Sequence, residues 1–142
     1  MKHWPVVLFI IATGFGAFNI IHEFFHLVGY FLETGNIGEL HWFYVVTHGG
    51  HDITSVSGAL GEALLSGFLL LYGNRWLKYY GFSVIILILV MWHGSLDFAW
   101  ISDPVLAEAP IMVSIVMLTL ALIKIVREAD HGQGRTNKVH IQ

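Results

Sequence analysis

Apolar residues gather into four long runs, parted by short stretches where glycine, asparagine and charged residues collect. A membrane-crossing helix needs about 20 mostly apolar residues. Four segments meet that length: about Pro5 to Leu32, about Ile53 to Tyr72, about Tyr79 to Ile101 and about Ala109 to Val126. The first is long for a hydrocarbon core of about 30 Å, since roughly 28 residues at about 1.5 Å each reach about 42 Å. It is expected to tilt, to kink near Gly14 and Gly16, or to protrude. A signal peptide has an apolar core of only about 7–15 residues, so this run reads as a retained helix.

The stretch between the first two runs has another pattern. Leu40-His41-Trp42-Phe43-Tyr44-Val45-Val46 is aromatic and β-branched, which suits a strand. Gly49-Gly50 is a turn signal, and Ile53-Thr54 could begin a return strand. A short hairpin dipping into the membrane and an interfacial aromatic belt fit this stretch equally well. Beyond Val126 the chain is polar and is expected to fray. The expected architecture is an all-α membrane protein: a core of four transmembrane helices over residues 1–128 and a flexible polar tail over 129–142. On the first of the two readings, the first outer loop holds a short β-hairpin.

Composition changes the picture by exclusion. The chain has 142 residues, 56% hydrophobic and 12% charged, against about 25% charged in soluble domains. That excludes a disordered chain and a nucleic-acid binder with a basic patch, and it argues against an ordinary soluble enzyme. There is no cysteine, so disulfides and thiolate metal ligands are excluded. Charge placement adds a direction. Lys2 precedes the first run, Arg75 and Lys78 lie between the second and third, and Lys124, Arg127, Arg135 and Lys138 lie at or after the end of the fourth. The other two loops hold Glu33, Glu39, Asp52, Asp103 and Glu108 and no Lys or Arg. Basic residues stay on the cytoplasmic side, so both termini are expected to be cytoplasmic and the two acidic loops outside.

Within the first run stands His22-Glu23-Phe24-Phe25-His26. Ionisable residues inside a transmembrane helix are costly and point to function. Helix positions i and i+4 share a face, so in H-E-x-x-H both imidazoles can grip one metal ion. Glu23 is then placed to take a proton from a water attacking a carbonyl. The plain alternative is a histidine pair hydrogen-bonding inside the bundle. A catalytic zinc usually takes three protein ligands, and the third run offers His93 and Asp97 at matching depth, with nothing in the spacing to choose between them. Glu62, in Gly58-Ala59-Leu60-Gly61-Glu62, lies at a similar depth. It could orient substrate, hold a water or pair with a histidine, or simply be a buried neutral carboxyl. His41, His48 and His51 read as solvated loop histidines, and His3, His131 and His140 as unrelated residues at the cytoplasmic ends.

Together these residues resemble the site-2 protease family of intramembrane zinc metalloproteases. His22-Glu23-Phe24-Phe25-His26 is similar to the family's H-E-x-x-H on its first core helix. Gly49-Gly50 follows a strand-like run, as in the family's membrane-embedded hairpin. Gly58-Ala59-Leu60-Gly61-Glu62 resembles G-P-x-x-N, and Leu96-Asp97-Phe98 resembles L-D-G. The resemblance implies zinc on His22, His26 and Asp97, with Glu23 as general base cutting a peptide bond in or near the bilayer. It leaves His93, Glu62, Gly49 and Gly50 for support of the ligands or contact with substrate. The departures are Phe25 for a small residue, Ala59 for proline, Glu62 for asparagine and Phe98 for glycine. The expected partners are a membrane protein or peptide substrate and the lipid bilayer, with no nucleic acid. The rival readings are an inactive relative of the proteases, or a metal-, haem- or pigment-binding subunit of a larger membrane complex. The site is expected to open on the outer side.

Overall fold

The computed structural model describes residues 20–41, 44–49 and 52–139, with side chains to residue 128. The start of the first apolar run, with Gly14 and Gly16, lies outside the described residues, as do Trp42, Phe43, Gly50, His51, His3 and His140. Helix α1 is described over residues 20–34. The other helices are α2 (Asp52–Tyr72), α3 (Arg75–Met91), the short α4 (Leu96–Trp100) and α5 (Pro104–Val139). Two strands, β1 (Glu39–Leu40) and β2 (Val45–Val46), lie between α1 and α2. Among the described residues, three helical segments are long and apolar enough to cross a membrane: Asp52–Tyr72, Arg75–Gly94 and Pro104–Glu128.

Local chemistry sets each boundary. Asn74 caps α3, its Oδ1 accepting the N–H groups of Trp76 (3.0 Å) and Leu77 (3.1 Å), donors that have no partner within the helix. Asp103 does the same for α5, accepting Val105 N–H at 2.8 Å, and Pro104 fits the first helical position because its missing N–H costs nothing there. The first turn of α2 is capped from another helix: Thr54 donates both its N–H (3.0 Å) and its hydroxyl (2.6 Å) to Glu33 Oε2.

That cap explains a difference from the expected hairpin. Ile53-Thr54 is not a return strand but the first turn of α2. The strands pair antiparallel, Glu39 opposite Val46 and Leu40 opposite Val45. The two strands therefore close on each other at His41 and Tyr44, ahead of Gly49. His41 N–H donates to Tyr44 O at 2.9 Å, and the two rings stack with centroids 4.6 Å apart, so the turn closes without glycine. Gly49 makes the later bend into α2, where its φ of +88° favours a residue with no side chain.

The third run also differs from expectation. It starts as helix at Arg75, stops at Met91, passes through a 3-10 turn at Trp92–Gly94 and re-forms as α4. Ser95 makes the break affordable. Its hydroxyl donates to Trp92 O at 2.7 Å and accepts Phe98 N–H at 3.1 Å. Non-helical backbone at membrane depth survives only with such partners or along a cavity. The fourth helix starts at Pro104 rather than about Ala109, and its backbone is helical to Val139, through most of the segment expected as a tail.

Helix α2 is the centre, packed on both α3 and α5. Val56, Ala59 and Ala63 of α2 meet Val84 and Ile88 of α3, with Trp92 beside them. The indole N–H of Trp92 donates to Ala107 O at 2.6 Å, joining the broken segment to α5. The end of α2 meets the basic stretch of α5, where Lys124 Nζ donates to Leu71 O. The bundle thus has a basic end near Lys124 and Arg75 and an opposite end bearing the hairpin and α4.

Candidate metal centre

His22 and His26 lie one turn apart on α1, with ring centroids 4.6 Å apart and planes at 85°. Their Nε2 atoms face each other at 3.0 Å. Asp97, in the first turn of α4, brings Oδ2 to 3.0 Å from His22 Nε2 and 3.5 Å from His26 Nε2. The three atoms form a triangle that could hold a metal ion. A tetrahedral ion with bonds of about 2.0–2.1 Å spaces its ligand atoms about 3.3–3.4 Å apart. The triangle matches that spacing to within a few tenths of an ångström.

What surrounds the triangle orients it. His26 Nδ1 donates to Thr54 O at 2.6 Å, which leaves the Nε2 lone pair on the side facing His22 and Asp97. His22 Nδ1 lies 3.4 Å from Glu62 Oε2. Carboxylate or carbonyl partners of this kind fix the ring and raise its basicity towards a metal. Of the roles open to Glu62 in the sequence, pairing with a histidine is the one the geometry displays. Glu62 is 1% exposed. Its Oε1 has no hydrogen-bond partner among the described residues, a buried acceptor that a water or an incoming donor would satisfy.

Two glycines admit α1 this close to α2. A Cβ built on Gly58 would sit 2.5 Å from His26 Nε2 and 2.8 Å from His22 Cε1. One built on Gly61 would run into the ring of Phe25. The bulky Phe25 within H-E-x-x-H is thus matched by a residue with no side chain opposite it.

Glu23 is half-buried and lines two cavities, each shared with Asp97. One, of about 690 Å3, lies against the hairpin and the start of α2, where Tyr44, Thr47, Gly49, Thr54 and Ser55 form its wall. The other, of about 360 Å3, is walled by Ala59, Leu87, Ile88, Met91 and Trp92. Met91 is 57% exposed, so this apolar cavity reaches the surface of α3.

The structure brings together His22, Glu23, His26, Glu62 and Asp97, with Gly49 on the cavity wall. His93 stands apart from the ligands. Its Nε2 pairs with Glu108 Oε1 at 3.0 Å, and its ring packs on Phe98 with centroids 4.8 Å apart. His41 is stacked on Tyr44, and the backbone of His48 bonds to the Tyr30 hydroxyl at 3.2 Å. Sequence reasoning missed Thr54, because the group that matters there is a backbone carbonyl. Comparison with protein-family models, curated proteins and solved structures returns no match.

Proposed function

We propose that the chain is a zinc-dependent intramembrane peptidase of the site-2 protease type, with His22, His26 and Asp97 as ligands and Glu23 as general base. The observation that carries this reading is the convergence of two imidazole nitrogens and one carboxylate oxygen at tetrahedral spacing. Two nitrogens and an oxygen suit zinc and leave its fourth position free for chemistry.

A zinc ion held by His22, His26 and Asp97 would supply the Lewis acidity to activate water near neutral pH and polarise a carbonyl. Glu23, on the wall of both cavities, takes a proton from the attacking water and passes it to the departing amine. The polar cavity admits water from the hairpin side, and the apolar one receives residues of a membrane-embedded peptide. A substrate helix must unwind before its carbonyls are accessible. The β1–β2 ribbon offers strand edges on which its freed backbone groups find partners. Glu62 supports His22 in place of the asparagine that the resemblance would put there. The basic end of the bundle faces the cytoplasm and the site opens to the other side, in keeping with the distribution of Lys and Arg.

The test combines metal content with cleavage. The full chain in detergent should carry about one zinc and cut a membrane-peptide reporter, while Glu23→Gln keeps the zinc and loses about 10²–10⁴-fold in rate. A wild-type chain without metal, or Glu23→Gln cutting at the wild-type rate, overturns the reading. Zinc retained with no cleavage across a broad panel of membrane peptides identifies an inactive relative.

A further inference from the structure

We infer that Asp52 is a positioning residue that holds the third ligand, Asp97, in register with the histidine pair. The inference rests on the reading of His22, His26 and Asp97 as a metal site, and it deepens that reading.

Helix α4 has five residues and none of them is buried. A helix this short does not hold itself in place, so the pose of Asp97 is set by the packing of Phe98 on the core and by the contacts at the two ends of α4. At the first end, Ser95 caps the helix, and Trp92 and His93 fasten the preceding turn to Ala107 and Glu108 of α5. Those contacts fix α4 against α5. The histidines are on α1 and are oriented from α2. Phe98 packs on the core that α2 forms, but apolar packing carries little direction, so a hydrogen-bonded link between the α4 segment and α2 is what sets Asp97 in register with the histidines.

Asp52 makes that link just beyond the other end of α4. Its Oδ1 accepts Ser102 N–H at 2.8 Å and its Oδ2 accepts Asp103 N–H at 3.2 Å. One carboxylate thus grips two consecutive backbone donors, and the charged acceptor strengthens both bonds. Two residues further along α2, Thr54 O holds His26 Nδ1 at 2.6 Å. A single helical turn therefore orients one ligand through a carbonyl and anchors the carrier of another through a side chain.

The test is a double-mutant cycle on zinc affinity, measured by chelator competition with the full chain in detergent. Asp52→Ala should weaken zinc about 10-fold, the low end of the effect of removing a partner bonded directly to a ligand, since Asp52 acts one step further out. In the Asp97→Ala background the same substitution should change nothing further. Asp52→Asn, which keeps one acceptor oxygen, should recover part of the loss. An equal loss in both backgrounds, or none in the first, overturns the inference. A second measurement needs no metal. The cysteine-free chain accepts a spin-label pair at Leu64→Cys on α2 and Ala99→Cys on α4, both exposed. Asp52→Ala should broaden the distance distribution between them, and an unchanged distribution overturns the positioning role. A chain that binds no zinc yet shows the broadening overturns the metal reading and leaves the tether standing.

Discussion

His26 Nδ1 donates to the Thr54 carbonyl at 2.6 Å, so one imidazole of α1 takes its tautomer from the first turn of α2. Its Nε2 is thereby committed to the space shared with His22 and Asp97. The pair of histidines is held as a ligand set would be, with each Nδ1 directed to an oxygen and each Nε2 to the centre.

The first consequence is a ranking. His22→Ala and His26→Ala should each abolish stoichiometric zinc, because each removes one corner of the triangle. Asp97→Ala should weaken zinc far more than His93→Ala, since His93 is spent on Glu108, away from the centre. Zinc titration of the four variants checks the order, and a larger loss for His93→Ala would reassign the third corner.

Glu62 supports a second prediction. Glu62→Gln keeps the shape of the side chain and puts an amide in place of the carboxyl that His22 Nδ1 faces at 3.4 Å. Zinc affinity should fall about 10–100-fold without being abolished. Loss of all zinc would make Glu62 a ligand, and unchanged affinity would remove it from the site.

How far the sequence disclosed this arrangement depends on where the deciding group resides. The histidine pair was legible, because i, i+4 spacing on a helix is a side-chain signal. The end of α2 was legible too, since the apolar run stops at Tyr72, but its start was read two ways, as the beginning of that run and as a return strand at Ile53-Thr54. The break at Trp92–Ser95 was not legible, because Gly94-Ser95 was read as part of one continuous run from Tyr79 to Ile101, and a single serine hydroxyl settles the matter. The hairpin turn was misplaced because Gly49-Gly50 is the stronger turn signal, while the actual turn closes through a bond and a ring stack between His41 and Tyr44. Thr54 gave no signal at all, since any residue supplies a carbonyl.

Packing of α1 on α2 gives the next prediction. Gly58→Ala should weaken zinc, because the new methyl must displace the His26 ring from 2.5 Å. Gly61→Ala should act on stability instead, through collision with Phe25, at a cost of about 1–3 kcal/mol as for other overpacked cores. Shrinking the neighbour in Gly61→Ala/Phe25→Leu should return much of that loss. Thermal unfolding in detergent separates the two effects. If Gly61→Ala is as stable as wild type, the close contact of α1 and α2 at Phe25 is absent.

The membrane orientation can be read with impermeant thiol reagents. Arg75, Lys78, Lys124 and Arg127 lie toward one end of the bundle, and Lys124 reaches the last turn of α2. The hairpin, Asp52 and Glu108 lie toward the other end, which is also the end nearer Asp97. If basic residues stay in the cytoplasm, the cavity walled by Thr47 and Gly49 opens outside. Because the chain has no cysteine, single replacements report without background. On intact cells Thr47→Cys should label and Asn74→Cys should not. Permeabilising the cells should then expose Asn74→Cys, which shows that the residue was shielded by the membrane and not by the fold. Labelling in the opposite pattern would place the site on the cytoplasmic side. It would leave the triangle of His22, His26 and Asp97 untouched, since those distances do not depend on which way the bundle is inserted.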